Sequence, residues 1–275
     1  MKNIRSLSHL KQKGFSLIEL MVAAMLGLIL LAGVIQIFLS SNQSYILQDK
    51  LATIQEEGRF ALIYLENQIE MAGWNAEDNN DNLPAIDFDN SSNDTNDTLA
   101  LSFVKTVNAV DNLDCNGNVV DSGLVTNQFS VNADDELVCK GLVKTASSTT
   151  FSDPQTLISG VDSFQVLYGV ETGMVCPDGS VDRYMTSEEV VNANLTNNIL
   201  SVRVGLLLKS DQDVFSQNEK SSFQILDKVF EYPSASATSG DKLLRRLFQQ
   251  TIFMPNSAFK FLVNSDSAVK CLSGF

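Results

Sequence analysis

Apolar residues follow three regimes along this chain. From Phe15 to Leu39 nearly every position is apolar, with Glu19 the single charge and Ser16 and Gln36 among the few polar side chains. Such a stretch, about 25 residues, makes a helix of about 37 Å, enough to cross the hydrocarbon core of a bilayer. Beyond it, Leu47, Leu51, Ile54, Gly58, Ala61 or Leu62, Leu65, Ile69 and Ala72 recur at steps of four and three. They form one apolar stripe, and the opposite face carries Asp49, Lys50, Gln55, Glu56, Arg59 and Glu66. No proline precedes Pro84, so the spacing predicts one helix over 15–73, about 90 Å long, with Gly27, Gly33 and Gly58 as points where it can bend.

Residues 74–98 are rich in Asn, Asp and Ser and read as a long solvated acidic loop. Its Asp run lacks the spacing and closing Glu of a calcium-binding EF-hand. After residue 98 the period changes to two. "TLALSFVK", "NQFSVN", "DELVCKGLVK" and "GVDSFQVLYGV" read as strands. So does "ILSVRVGLLLKS", where Leu200, Val202, Val204, Leu206 and Leu208 share one face and Ser201, Arg203 and Gly205 the other. "FQILDKVFEY" follows. "RRLFQQTIFMP" fits helix or strand by period, and its β-branched and aromatic tail before a proline favours strand. Strands unseparated by helices imply antiparallel pairing, hence an α+β class: a long N-terminal helix packed on a β-rich globular head over 99–275.

Charge and composition narrow the function. The net charge is −14, and four of the basic residues (Lys2, Arg5, Lys11, Lys13) lie before Gly14. Without them 15 basic residues face 33 acidic ones, which argues against nucleic acid as a partner. The one histidine, His9, lies in the same leader. A chain lacking it has no imidazole for Ser-His-Asp or Cys-His catalysis, nor for histidine-bearing zinc sites. No enzyme activity and no cofactor are expected. The basic N-terminal flank keeps that end cytoplasmic, with the remainder outside. The apolar stretch is too long for an ordinary secretory signal and lacks an A-x-A-like exit.

Glu19 is the anomaly. A carboxylate inside a membrane helix costs about 2.5–3.5 kcal/mol on insertion scales, and usually marks a site with a partner. Gly14-Phe15-Ser16-Leu17-Ile18-Glu19-Leu20, after a basic leader, resembles the prepilin signal of type IV pilins and type II secretion pseudopilins. The resemblance implies that 1–14 is a leader cut between Gly14 and Phe15 by prepilin peptidase, with Phe15 then N-methylated. The apolar segment 15–39 is retained, first in the membrane and then in the filament core. It also implies that Glu19 pairs with the Phe15 ammonium of a neighbouring subunit, which offsets the desolvation of both charges.

The C-terminal half resembles the PilW family of minor pilins. The residues that carry this are "LISGVDSFQVLYGVET" at 157–172, "VDRY" at 181–184, "ILSVRVGLLLKS" at 199–210 and "RRLFQQTIFMPN" at 245–256, in the expected order. Where family members often have an aspartate-rich stretch, this chain has Glu-Thr-Gly-Met-Val-Cys, and "IFMPN" replaces a more usual arginine-asparagine ending. The resemblance implies a subunit that starts or caps a type IV pilus with other minor pilins and the major pilin, served by the inner-membrane assembly platform. Its place is the inner membrane, single pass, with the head in the periplasm and the tip of surface pili as a further location. A minor pseudopilin of type II secretion, which shares Gly14, Phe15 and Glu19, and a pilus-tip adhesin remain the alternatives.

Cys115, Cys139, Cys176 and Cys271 are widely spaced, without the C-x-x-C pairs of zinc or redox sites. In an oxidising compartment two disulfides are expected, and three pairings are open. The favoured one joins Cys115 to Cys139 and leaves Cys176 with Cys271. Glu171, Asp178 and Asp182 surround a turn beside a glycine and are the residues that would hold a hard cation. Such a cluster is more often a solvated hairpin tip, and no metal is expected.

Overall fold

A computed structural model describes residues 14–74, 84–88, 91–93, 95–105, 113–118, 123–144, 149–173, 178–215, 221–232 and 242–258. The chain divides into two compact units, Met1–Asp49 and Lys50–Phe275. The helix α1 spans Leu17–Met71 and contributes to each. In the first unit its side chains from Leu17 to Leu39 are exposed throughout, and an 18-residue window reaches a mean hydropathy of 2.6. That stretch is long and apolar enough to cross a membrane.

In the second unit α1 buries Ile54, Gly58, Ala61, Leu65 and Ile69, the stripe read from the sequence. They join one core with Phe164, Val166, Tyr168, Val202, Val204, Leu206 and Leu208. Gly58 permits the closest approach: a Cβ there would lie 2.5 Å from the Phe248 ring, so only hydrogen leaves room for that aromatic. The helix ends at Gly73 (φ 76°), whose N–H donates to the Ser102 carbonyl at 2.8 Å. The Asn256 side chain donates to the Glu70 and Ala72 carbonyls at 3.0 and 3.3 Å, capping orphan acceptors of the last turn from the far end of the sequence.

The strands are β1 (Ser92–Asn93), β2 (Asp97–Lys105), β3 (Gly123–Val131), β4 (Leu137–Lys144), β5 (Thr149–Phe151), β6 (Gln155–Ile158), β7 (Val161–Val170) and β8 (Arg183–Met185). After the short helix α2 (Ser187–Asn192) come β9 (Ile199–Asp213), β10 (Ser221–Ile225), β11 (Lys228–Tyr232) and β12 (Leu243–Phe253). One sheet runs β1-β2-β3-β4-β5 with β6 also on β4, a second runs β12-β9-β7-β8, and β10-β11 is a hairpin. All pairs are antiparallel, giving the α+β class. The ambiguous "RRLFQQTIFMP" is strand, its ladder on β9 running from Leu243↔Asp213 to Phe253↔Ser201.

One expectation changes. The segment 74–98 is not solvated throughout: Ala85, Ile86, Asp87 and Asp97 are buried, Ile86 bridges Leu101, and β1 and the start of β2 fall inside it. The reason is polar. β8 pairs only with Tyr168–Val170, and Asn96 and Asp97 accept the N–H groups of Phe164 and Val166 at 2.9 and 2.7 Å. Short polar side chains here satisfy main-chain donors of β7. Residues 75–83 of that loop lie outside the described residues, as do Cys176, Cys271 and leader residues 1–13. Cys115 and Cys139 form a disulfide with Cα atoms 6.3 Å apart. It fastens the Asp114–Asn118 loop to β4 beside Phe129 and Tyr64, whose hydroxyl donates to the Cys115 carbonyl at 3.3 Å.

Two buried carboxylates, Asp162 and Asp97, are paired with cations. Asp162, 8% exposed, accepts from Arg245 at 2.5 Å and pairs with Lys209 at 2.8 Å, while Lys209 also meets Asp135. Burial would lower the Lys209 ammonium pKa, but the two carboxylates outweigh it and hold it above its ordinary value. Asp97 pairs with Lys228 at 3.0 Å; burial pushes its carboxyl up, partly offset by the Val166 N–H and by Lys228.

Candidate functional site

The N-terminal segment is the part whose chemistry differs from that of a folded head. Gly14, Phe15 and Ser16 precede α1 in non-helical conformation, and the Leu20 N–H donates to the Ser16 carbonyl at 3.2 Å. Ser16 therefore stands where a helix cap stands, with Glu19 three residues on in the first turn, the spacing of a capping box. The positive end of the helix dipole favours a carboxylate there. This local role is one that weighing Glu19 only as a misplaced charge overlooks, although the S-x-x-E spacing is visible in the sequence.

The Gly14–Phe15 peptide bond is open. A Cβ at Gly14 would meet nothing within 4 Å, and Phe15 is 83% exposed. A protease must bind its substrate as extended chain, and an accessible non-helical bond beside a glycine provides that. Gly14, Phe15 and Glu19 thus fall within six residues of one helix start, the first two outside it and the third within its first turn.

Glu171, Asp178 and Asp182 do not converge on a cation. The Glu171 carboxylate, 2% exposed, accepts the N–H groups of Asp178 and Gly179 at 3.0 and 2.8 Å. Asp182 accepts the Thr172 N–H at 2.8 Å, and Asp178 accepts the Ser180 N–H at 2.9 Å. The Ser180 hydroxyl and N–H together lower the Asp178 carboxyl below its usual range. Each acid holds a turn, and among the described residues no group of three metal-ligating side chains occurs.

On the head, α1 leaves Phe60, Ile63 and Met71 exposed on the side away from the core, and Trp74 is exposed just past its end. The spacing read from the sequence gave that side as charged and did not single these residues out. Large side chains at three- and eight-residue steps are the only signal that could have shown the helical three.

A model of the family described as type IV pilus-assembly protein W matches residues 125–256. A model of the prokaryotic N-terminal methylation motif matches residues 9–35. No curated protein sequence matches the chain. Among solved structures, a type IV-like pilin from Thermus thermophilus is similar at 14% identity and a TM-score of 0.41, over 77% of this chain and 96% of that one. The W-family match takes in β7, β9 and β12, the strands that carry the core face opposite α1, and the methylation motif takes in Gly14, Phe15 and Glu19. The head is thus similar over residues 125–256 to type IV pilus-assembly protein W and the N-terminus to the prepilin methylation motif, which together support a minor pilin role in pilus assembly.

Proposed function

We propose that the chain is cut between Gly14 and Phe15 by prepilin peptidase, methylated on Phe15, and held in the inner membrane by residues 15–39 with its head in the periplasm. There it acts with other minor pilins and the assembly platform to start or cap the filament, which the major pilin then extends. The observation that carries this reading is the fully exposed apolar first part of α1, interrupted only by Glu19, on the same helix that serves as a core element of the head. A surface of that kind is stable only in lipid or among other helices of its type. In such a bundle the Phe15 ammonium of one subunit offsets the desolvated Glu19 carboxylate of the next. That the family described is one of assembly proteins supports a starting or capping role over bulk filament.

Deleting the gene and counting surface pili tests the role. The proposal expects few pili, restored by the wild-type chain and poorly by Glu19→Ala, which is still processed. Normal numbers of pili that fail to adhere would replace assembly with adhesion, and full restoration by Glu19→Ala would remove the ion pair from the account.

A further inference from the structure

The β12-β9-β7-β8 sheet has a second face, turned away from α1, and it carries a cleft of about 400 Å³ lined by Arg203, Gln224, Leu226, Gln249, Gln250 and Thr251. Register puts Arg203 opposite Thr251, and Gly205 opposite Gln249, on that face. The β10-β11 hairpin forms the other wall. Its tip rests on Gly205, where a Cβ would lie 2.8 Å from Ile225 Cγ2. Leu226 at the tip has φ 56°, a conformation costly for a bulky apolar residue and normally given to Asn or Gly in such turns. Backbone strain of this kind collects at functional sites.

Arg203 is the centre of the cleft. Its guanidinium lies 3.7 Å from the centroid of the Tyr184 ring, and its Nε donates to Thr251 Oγ1 at 3.0 Å. Two contacts fix the plane of the group and leave its terminal N–H groups uncommitted. Among the described residues no carboxylate pairs with it, in a chain with 33 acidic residues. By contrast Arg245 and Arg183 each have an acid. Around it, the Gln224 amide bonds to nothing among the described residues, Gln249 makes one long bond of 3.4 Å, and Gln250, opposite Val204, turns its side chain to the other face. A fixed guanidinium fork recognises a planar carboxylate through two parallel hydrogen bonds. Amide side chains and a threonine hydroxyl offer donors and acceptors together, which matches the hydroxyls of a sugar ring. Leu226 is the one apolar side chain in the lining, so the cleft lacks the pocket an apolar anchor of a protein partner needs.

We propose that this cleft binds an acidic sugar, its carboxylate on the terminal N–H groups of Arg203 and its hydroxyls on Gln224, Gln249 and Thr251. The site gives the head a carbohydrate-recognition function separate from assembly, and it holds whether or not the subunit starts the filament. The test is titration calorimetry on the full chain in detergent with glucuronate, N-acetylneuraminate, the methyl ester of glucuronate, and an Asp-rich peptide. Binding of an acidic sugar, weakened at least tenfold in the ester and in Arg203→Gln, is expected, since a charge-assisted pair is lost in both. Gln249→Glu, an exposed substitution that sets a like charge in the cleft, should weaken it as well while leaving the circular dichroism and melting temperature unchanged. Equal binding of acid and ester, no sugar binding, or binding of the peptide alone would overturn the proposal.

Discussion

The two parts of α1 solve the same problem in opposite ways. Residues 17–39 and residues 50–71 are both helical and both apolar on at least one face. The first leaves Leu17, Ile18, Leu28 and Leu30 more than 60% exposed, while the second seals Ala61, Leu65 and Ile69 completely. Helical geometry is identical, so the difference lies in where the apolar surface finds cover. The second part carries one stripe and finds it in its own head. The first is apolar all round, which no single sheet face can satisfy, and it needs lipid or other helices. One part is complete in isolation and the other is an unfinished interface, which is the physical requirement on a subunit that is stored in a membrane and then polymerised.

Substitutions that damage one part alone break that comparison most sharply. Asp162→Ala leaves Arg245, 6% exposed, without its buried partner, and a loss of about 3–5 kcal/mol is expected. Chemical unfolding of the head should register it, while membrane partitioning stays unchanged. Leu28→Lys should do the reverse. About 2.5–3.5 kcal/mol of insertion free energy is lost, so carbonate extraction releases a larger fraction, with no change in the melting of the head. The paired glycines sharpen the contrast within one helix. Gly58→Ala drives a methyl against the Phe248 ring and should lower stability by about 1–3 kcal/mol, whereas Gly33→Ala meets nothing within 4 Å and should leave the melting of the head unchanged. Thermal scans of both variants read the difference.

The smallest effect is in pH. Because the Lys209 pKa is raised on folding, the stability it contributes is fully present below its unfolded value near 10.5 and is lost as pH rises through the higher folded value. The head should therefore melt at lower temperature at strongly alkaline pH, and Lys209→Met should flatten that decline.

Legibility followed sequence distance. The α1 stripe and the alternation of β9 were open to reading because each is periodic within one element. Cys115 and Cys139, 24 residues apart, could be favoured as the pair that closes one local loop, with three pairings still open in the sequence. The burial of Ile86 and Asp97 was hidden, since an Asn- and Asp-rich composition reads as solvated until the free N–H groups of Phe164 and Val166 are known. The cleft was hidden for a related reason. Tyr184, Arg203, Leu226 and Thr251 come from four strands or turns, and only register brings them together. The S-x-x-E spacing of Ser16-Leu17-Ile18-Glu19 at the helix start was available but was masked by the stronger oddity of a charge in an apolar run.

Intact-mass spectrometry of the mature chain, from cells with and without prepilin peptidase, measures the central claim directly. The account predicts loss of Met1–Gly14 and gain of one methyl group on Phe15 only where the peptidase is present. A mature chain that begins anywhere else, or that is the same in both cells, would contradict it.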